Sequence, residues 1–163
     1  MQLANANIAR IIHASKDAEK MHGFTSRLAP VNALAERSDG FIWRLADETG
    51  NGATNLKVLA NDPNVIINMS VWRDLDSLYA FTYKTVHSKL IRQRTAWFEP
   101  VQGIANLALW WVEDAHQPDI AEAVAKMRQL KRNGPSSEAF TFAMPFSAEG
   151  TPVVASFPDK DCA

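Results

Sequence analysis

The stretch that decides the fold is residues 64–72, which reads Asn-Val-Ile-Ile-Asn-Met-Ser-Val-Trp. Alternating residues of a strand point to opposite faces of a sheet, and this alternation divides the stretch into two sets. The first set is fully apolar and consists of Val65, Ile67, Met69 and Val71. The second set mixes apolar bulk with polar groups and consists of Ile66, Asn68, Ser70 and Trp72. The pattern predicts a strand with one face packed under helices and the other in the wall of a pocket.

Six further segments show the period of a strand or a helix. Alternation and a high content of β-branched and aromatic residues predict strands at residues 3–12, 41–45 and 104–112. Apolar residues that recur every three or four positions predict helices at residues 17–37, 74–98 and 119–132. We expect Pro30 to kink or split the first helix, because proline removes a helical hydrogen bond.

This order of elements predicts an α+β fold, a ferredoxin-like β-α-β-β-α-β sheet with its helices on one face. Such a sheet leaves its second face uncovered. In this chain that face would carry more apolar surface than a soluble monomer normally exposes to solvent. Its residues would be Asn5, Asn7, Phe41, Trp43, Ile66, Trp72 and Trp110. We therefore expect a homodimer, a dimeric α/β barrel in which two sheets pack face to face around a hollow that can hold a ligand.

The length and charge of the chain restrict the classes of protein that remain. A chain of 163 residues is close to the size of one domain, so we predict an α/β-barrel domain over residues 1–132 and a proline-rich tail over residues 133–163. Lys and Arg total 17 against 18 for Asp and Glu, which leaves no basic excess to neutralise phosphates. This balance argues against nucleic acid or an anionic membrane as the main partner and favours a small-molecule substrate.

Cysteine usage and the start of the chain bear on the compartment. The single cysteine, Cys162, cannot form an intrachain disulfide, which fits a reducing compartment. The first residues lack the basic start and apolar stretch of a secretion signal, and the longest apolar run, residues 107–112, is too short to cross a bilayer. We predict a cytoplasmic protein that does not use a membrane.

The candidate catalytic residues are Tyr83, His87 and Arg94, which share one otherwise apolar face of the second predicted helix. Buried ionisable groups are costly unless they are paired or functional. In the functional interpretation, His87 is a general base or a metal or haem ligand, Arg94 holds an anion and Tyr83 donates a hydrogen bond. In the structural interpretation, His87 and Arg94 pair with a carboxylate or a backbone carbonyl at the helix–sheet or dimer interface, and Tyr83 only contributes to packing.

The candidate substrate-binding residues are Asn7, Trp43, Asn68, Trp72 and Trp97. The amides can instead bind water at the end of the sheet, and the tryptophans can instead be core or interface anchors. The sequence contains no glycine-rich phosphate loop, nucleophile elbow, His-Glu-x-x-His or paired cysteines. No motif therefore specifies a cofactor, and the prediction is either none or haem, which needs only one helical histidine and an apolar pocket.

Several motifs of this chain resemble a bacterial family, domain of unknown function 3291, over residues 2–145. They are Asn-Ile-Ala-Arg (7–10), Val-Asn-Ala-Leu-Ala-Glu (31–36), Gly-Phe-Ile-Trp-Arg-Leu (40–45), Asn-Met-Ser-Val-Trp (68–72), Phe-x-Tyr-x-x-x-His (81–87) and Arg-x-Arg-x-x-Trp-Phe (92–98). The name of the family implies no activity.

More distantly, a strand that ends at Trp72 and a following helix that bears His87 resemble the superfamily of antibiotic-biosynthesis-type and haem-degrading monooxygenases, which are dimeric α/β barrels. The resemblance implies His87 as an iron ligand and Asn7 as an assisting amide. The tryptophan that the haem-degrading branch has on this helix is missing, and Phe81 stands near its place. The implied function is monooxygenase-like oxidation of an apolar or aromatic substrate. A cofactor-free cyclase or isomerase and a non-enzymatic ligand-binding protein are the alternatives.

Overall fold

A computed structural model describes residues 1–13, 19–48, 50, 52–84 and 94–154. Its strands are β1 (Gln2–Ile11), β2 (Phe41–Arg44), β3 (Val65–Trp72), β4 (Phe98–Glu99) and β5 (Leu107–Val112). Its α-helices are α1 (His22–Glu36), α2 (Leu75–Lys84) and α3 (Ile120–Asn133), with short 3-10 turns at Glu19–Met21 and Arg94–Ala96. The predicted α+β class is confirmed, and each of the four predicted strands is present.

Strand β1 lies at the centre of an antiparallel sheet. On one side it pairs with β3, with Asn7 opposite Asn68 and Asn5 opposite Ser70. On the other side it pairs with β5 along its first part and with β4 at its end. Strand β2 pairs with the far side of β3, which gives the order β2-β3-β1-β5. The sheet is open, so a closed barrel is not formed by the described chain.

Helices α1 and α2, the two helices of the predicted β-α-β-β-α-β unit, lie on one face of the sheet, whereas α3 covers the second face, which was expected to be bare. The face that carries Ala6 and Met69 packs in one hydrophobic cluster with Val124 and Met127 of α3. The face that carries Trp72 packs in another cluster with residues of α1 and α2. The amphipathic helix α3 therefore folds over the face that would otherwise be bare.

The aromatic residues assigned to one bare face are divided between the two clusters. Trp110 is buried in the cluster under α3, where its indole N–H donates to Glu122 Oε1 at 2.8 Å, and Trp43 packs against the same cluster. Phe41 and Trp72 belong to the opposite cluster. The expectation of a tryptophan-rich surface that needs a second copy to cover it was therefore wrong.

The second predicted helix is shorter than its sequence pattern suggested. Asp74 begins α2, because its Oδ1 accepts a hydrogen bond from the backbone N–H of Ser77 at 2.8 Å. The helix is described as far as Lys84, and His87 lies outside the described residues. Beyond the gap the chain does not return to an α-helix: it forms the turn at 94–96 and then pairs with β1 as β4. By contrast, α1 continues through Pro30.

The segment after α3 packs on the sheet edge. Phe140 and Leu109 exchange two backbone hydrogen bonds of 2.9 Å, and the indole N–H of Trp111 donates to the backbone oxygen of Phe146 at 2.7 Å. Ala139 and Phe140 are completely buried, so this segment supplies part of the core. None of the helices within the described ranges has both the length and the hydropathy that a bilayer crossing needs.

Candidate functional site

A cavity of about 350 Å³ lies between the sheet and helices α1 and α2. Its floor is formed by the central strands β1 and β3, through Asn5, Asn7, Ile66, Asn68 and Ser70. Its walls come mainly from α1, α2 and the segment 94–100, through Phe24, Leu28, Phe81, Arg94, Trp97 and Phe98. The sequence period that put polar residues on one face of each strand therefore places them together under one cavity.

Asn68 faces the cavity from the sheet. Strand β3 is interior, and seven of its eight residues are buried, whereas Asn68 is exposed. Across the strand pair, Asn7 lies opposite Asn68. Neither side-chain amide has a hydrogen-bond partner within the part of the chain that the structure describes. Two amides in the middle of a sheet thus face the cavity without a hydrogen bond to the described part of the chain.

Ser70 is held by two neighbours. The indole N–H of Trp72 donates to Ser70 Oγ at 2.9 Å, and Asn5 Nδ2 donates to the same oxygen at 3.4 Å. Trp72 is completely buried and stacks on Phe81 with ring centroids 5.1 Å apart. Trp72 therefore lies behind the cavity floor and fixes the position of Ser70.

The aromatic wall is a contacting group of three rings. Phe24 meets Phe98 edge to face with centroids 4.8 Å apart, and it meets Trp97 at 6.1 Å. Trp97 is buried, and aromatic groups in such arrangements stabilise one another beyond their area of contact. This wall offers a flat aromatic ligand a rigid apolar surface.

The charged residues in the described cavity lining are Arg27, Arg94 and Glu99. Arg94 is partly exposed and makes no ion pair with any described residue. A guanidinium at the border of a mostly apolar cavity can hold a carboxylate, sulfonate or phosphate group of a ligand.

The structure brings together four of the eight predicted site residues, since Asn7, Asn68, Arg94 and Trp97 all line the cavity. Trp72 lies behind the floor. The other described residues lie elsewhere: Trp43 packs under α3, and Tyr83 packs on Tyr79 and Phe142 with centroids 4.7 and 5.4 Å apart. His87 lies outside the described residues, and Arg94 is in a 3-10 turn, so the shared helical face does not extend to Arg94.

Sequence reasoning missed Asn106, which lines the cavity just before β5. Its Oδ1 atom is buried and has no hydrogen-bond partner in the described ranges. Asn106 lies inside the strand predicted at residues 104–112, but alternation places it on the face of Ala108 and Trp110 rather than on the cavity face. It reaches the cavity because its backbone oxygen accepts from the N–H of Ile8 at 3.0 Å, next to Asn7.

The described lining residues offer few ligands for a metal ion or for haem iron. Within the described residues, no group of three or more His, Cys, Asp or Glu side chains is arranged to hold a metal ion. Haem iron is ligated by His, Cys, Met or Tyr, and none of the described lining residues is of these types. The described lining residues therefore supply no ligand for haem iron, and His87, the predicted ligand, lies outside the described residues.

Comparison with known proteins gives the family. Neither the curated proteins nor the solved structures yielded a match to the chain. The family model described as "Domain of unknown function (DUF3291)" matches residues 2–156, nearly the whole sequence. The motif resemblance at residues 7–10, 31–36, 40–45, 68–72, 81–87 and 92–98 is therefore confirmed at the level of the family. This chain belongs to the family of domain of unknown function 3291.

Proposed function

We propose that this protein binds an apolar or aromatic small molecule in the cavity above its sheet and acts on it as a monooxygenase-like enzyme. The observation that carries the proposal is the exposure of Asn68 at the centre of an interior strand, beneath a mostly apolar cavity. Small-molecule sites are commonly concave, largely apolar and supplied with a few convergent polar groups. Asn7, Asn68 and Ser70 are the convergent polar groups here.

The size and lining of the cavity support an aromatic ligand. Its volume of about 350 Å³ equals that of about a dozen water molecules at roughly 30 Å³ each, enough for a molecule of one or two rings. Phe24, Trp97 and Phe98 give such rings a wall of matching shape. Arg94 supports a ligand that also carries an anionic group.

The order of the strands supports the oxidative half of the proposal. Strand β3 lies between β1 and β2 and is antiparallel to both, as in a ferredoxin-like split β-α-β unit. This order agrees with the distant resemblance to the antibiotic-biosynthesis-type monooxygenases. Because a fold alone does not determine a reaction, the chemistry depends on an activity measurement.

The proposed reaction balances with dioxygen alone. An activated CH2 group of the ligand is oxidised to a carbonyl group, one oxygen atom enters that C=O and the other leaves as water with the two hydrogens. Dioxygen is the only oxidant, and no external reductant is consumed. The role of His87 as the base that removes the first proton stays a prediction, and so does the homodimer, whose interface would lie away from the two covered sheet faces.

The binding half is tested with 8-anilinonaphthalene-1-sulfonate, an aromatic anion whose fluorescence rises in apolar sites. We expect one molecule to bind per chain and the affinity to fall at least about tenfold in Asn68→Phe, because the new ring fills the cavity. The matched control is Asn61→Phe, which makes the same substitution at an exposed asparagine outside the lining. Wild-type affinity in Asn68→Phe would overturn the proposed site.

The oxidative half is tested by oxygen uptake with a panel of phenols, naphthols and anthrones, using labelled dioxygen and mass spectrometry of the product. Incorporation of one labelled atom per turnover, lost in Asn68→Phe, supports the oxidation. Turnover without oxygen uptake and without a labelled atom in the product would support the cyclase or isomerase instead. Binding without turnover of any compound would support a ligand-binding protein, and each of these two results overturns the oxidation.

A further inference from the structure

The cavity floor contains a compact polar patch of Asn5, Asn7, Asn68 and Ser70. These residues face each other as two cross-strand pairs, Asn5 with Ser70 and Asn7 with Asn68. Cross-strand neighbours have Cβ atoms about 5 Å apart, and successive pairs on one face are about 7 Å apart along the strands. The patch therefore matches a single functional group of a ligand, and since it carries no charge, it suits a neutral group.

The hydroxyl of Ser70 is still able to donate a hydrogen bond but has no further capacity to accept one. Its oxygen accepts from Trp72 Nε1 at 2.9 Å and from Asn5 Nδ2 at 3.4 Å, which occupies both lone pairs. Its own hydrogen can still donate. The Ser70 side chain lines the cavity, so an acceptor atom of a ligand can take that hydrogen bond.

Trp72 makes this arrangement rigid. Its ring is completely buried, stacks on Phe81 at 5.1 Å and meets Phe41 edge to face at 5.4 Å. An indole N–H can donate but cannot accept, so the oxygen of Ser70 must be its acceptor. A donor fixed in advance loses little entropy on binding, which favours it as a recognition group.

We propose that the Ser70 hydroxyl, positioned by Trp72, donates a hydrogen bond to a carbonyl oxygen of the ligand, and that the amide N–H of Asn68 is the second donor. This inference rests on the proposed binding function and names its ligand class, an aromatic ketone or a quinone-like compound. Trp72 is a positioning residue, whereas Ser70 and Asn68 touch the ligand. The remaining amide, Asn7, lies beside Asn68 for a second polar group of the ligand.

The test compares 1-acetonaphthone with 1-ethylnaphthalene as competitors of bound 8-anilinonaphthalene-1-sulfonate. The two compounds share the ring system and differ in a C=O against a CH2 group. We expect the ketone-to-hydrocarbon affinity ratio to fall about five- to tenfold in Ser70→Ala and to recover in Ser70→Thr, as for the loss of one hydrogen bond. The infrared C=O stretch of the bound ketone should lie at lower frequency in the wild type than in Ser70→Ala.

Trp72→Phe keeps a ring and removes the N–H, so we expect the same ratio to fall about threefold and the C=O band to broaden. If that variant does not fold, the Ser70→Ala and Ser70→Thr results decide the proposal by themselves. An unchanged ratio and band in Ser70→Ala overturn the carbonyl subsite and indicate that the patch binds only water. If the wild-type protein does not bind the fluorescent probe, the proposed binding function itself is overturned. If the probe binds but neither competitor displaces it, only the proposed ligand class is overturned.

Discussion

The indole ring of Trp97 lies against Gly23 of α1, so closely that a Cβ atom on Gly23 would be 3.1 Å from Trp97 Cζ2. This contact joins the start of α1 to the segment that follows the turn at 94–96. The next residue, Phe24, meets both Trp97 and Phe98, so the same contact sets the aromatic wall of the cavity. Close approach of an aromatic ring, rather than a special backbone angle, explains why a glycine stands at position 23.

We expect Gly23→Val to lower the free energy of unfolding by about 1–3 kcal/mol, because the added methyl groups push Trp97 from its place. The displaced ring should also weaken binding of 8-anilinonaphthalene-1-sulfonate. Urea unfolding and a fluorescence titration measure the two effects. The control is Ala29→Val at an exposed position of the same helix, which should cost less than about 1 kcal/mol and leave binding unchanged. Equal effects of the two variants would contradict the packing argument.

Alanine substitutions at Gly40 and Gly103 distinguish two contributions to the free energy of unfolding, backbone conformation and steric overlap. Both glycines have positive φ, +77° and +74°, which disfavours a side chain by about 1–2 kcal/mol. A Cβ on Gly40 would also overlap the side chain of Ser77, whereas a Cβ on Gly103 has nothing within 4 Å. Gly40→Ala should therefore destabilise the fold more than Gly103→Ala in urea unfolding. A smaller effect at Gly40 would show that α2 shifts freely.

Arg73 joins two carboxylates at the start of α2, and we expect these contacts to make stability depend on pH. It donates two hydrogen bonds to Asp39, at 3.0 and 2.6 Å, and one to Asp74 at 2.8 Å. The hydrogen bonds from Arg73 lower the pKa of Asp39. At Asp74, partial burial raises the pKa, but hydrogen bonds from Ser77 and Arg73 outweigh it, so the net shift is also downward.

A carboxyl group whose pKa is lowered by folding stabilises the fold above its ordinary pKa, and this stabilisation is lost as the pH falls through the lowered pKa. Arg73→Gln should therefore lower the melting temperature at pH 7, and the difference from wild type should shrink below about pH 4. Thermal scans by circular dichroism between pH 2 and pH 7 measure this. The control, Arg128→Gln, replaces an exposed arginine that makes no ion pair with any described residue. A difference for Arg73→Gln that is independent of pH would refute the argument.

Arg94→Gln should weaken binding of 8-anilinonaphthalene-1-sulfonate by about three- to tenfold, since a charge-assisted hydrogen bond to the sulfonate is lost. The uncharged competitor 1-ethylnaphthalene should bind the variant as it binds the wild type. Raising the salt concentration should reduce the wild-type advantage, because the guanidinium is partly exposed. An equal loss of affinity for the charged and the uncharged compound would mean that Arg94 shapes the cavity rather than binding an anion.

Local pattern predicted three elements well, namely the strands β1 and β3 and the helix α3. The bounds of β1, β3 and α3 agree with the predicted ones within a residue or two, because alternation or a helical stripe records which side chains are buried. The pattern also put Asn7 and Asn68 on one face. It failed at residues 94–98, where the predicted helix is replaced by a 3-10 turn and the start of a strand that pairs with β1.

The sequence by itself determined which side chains share a strand face, Asn5 with Asn7 on β1 and Asn68 with Ser70 on β3, and the pairing of the two strands joins them into one polar floor. Only the tertiary structure decided what covers each face: α3 over one, α1 and α2 with the cavity over the other. The reason is that periodicity reports the burial of a segment but not the identity of the element that buries it. Trp97 and Asn106 join the cavity through contacts between segments far apart in the chain, which no local pattern encodes.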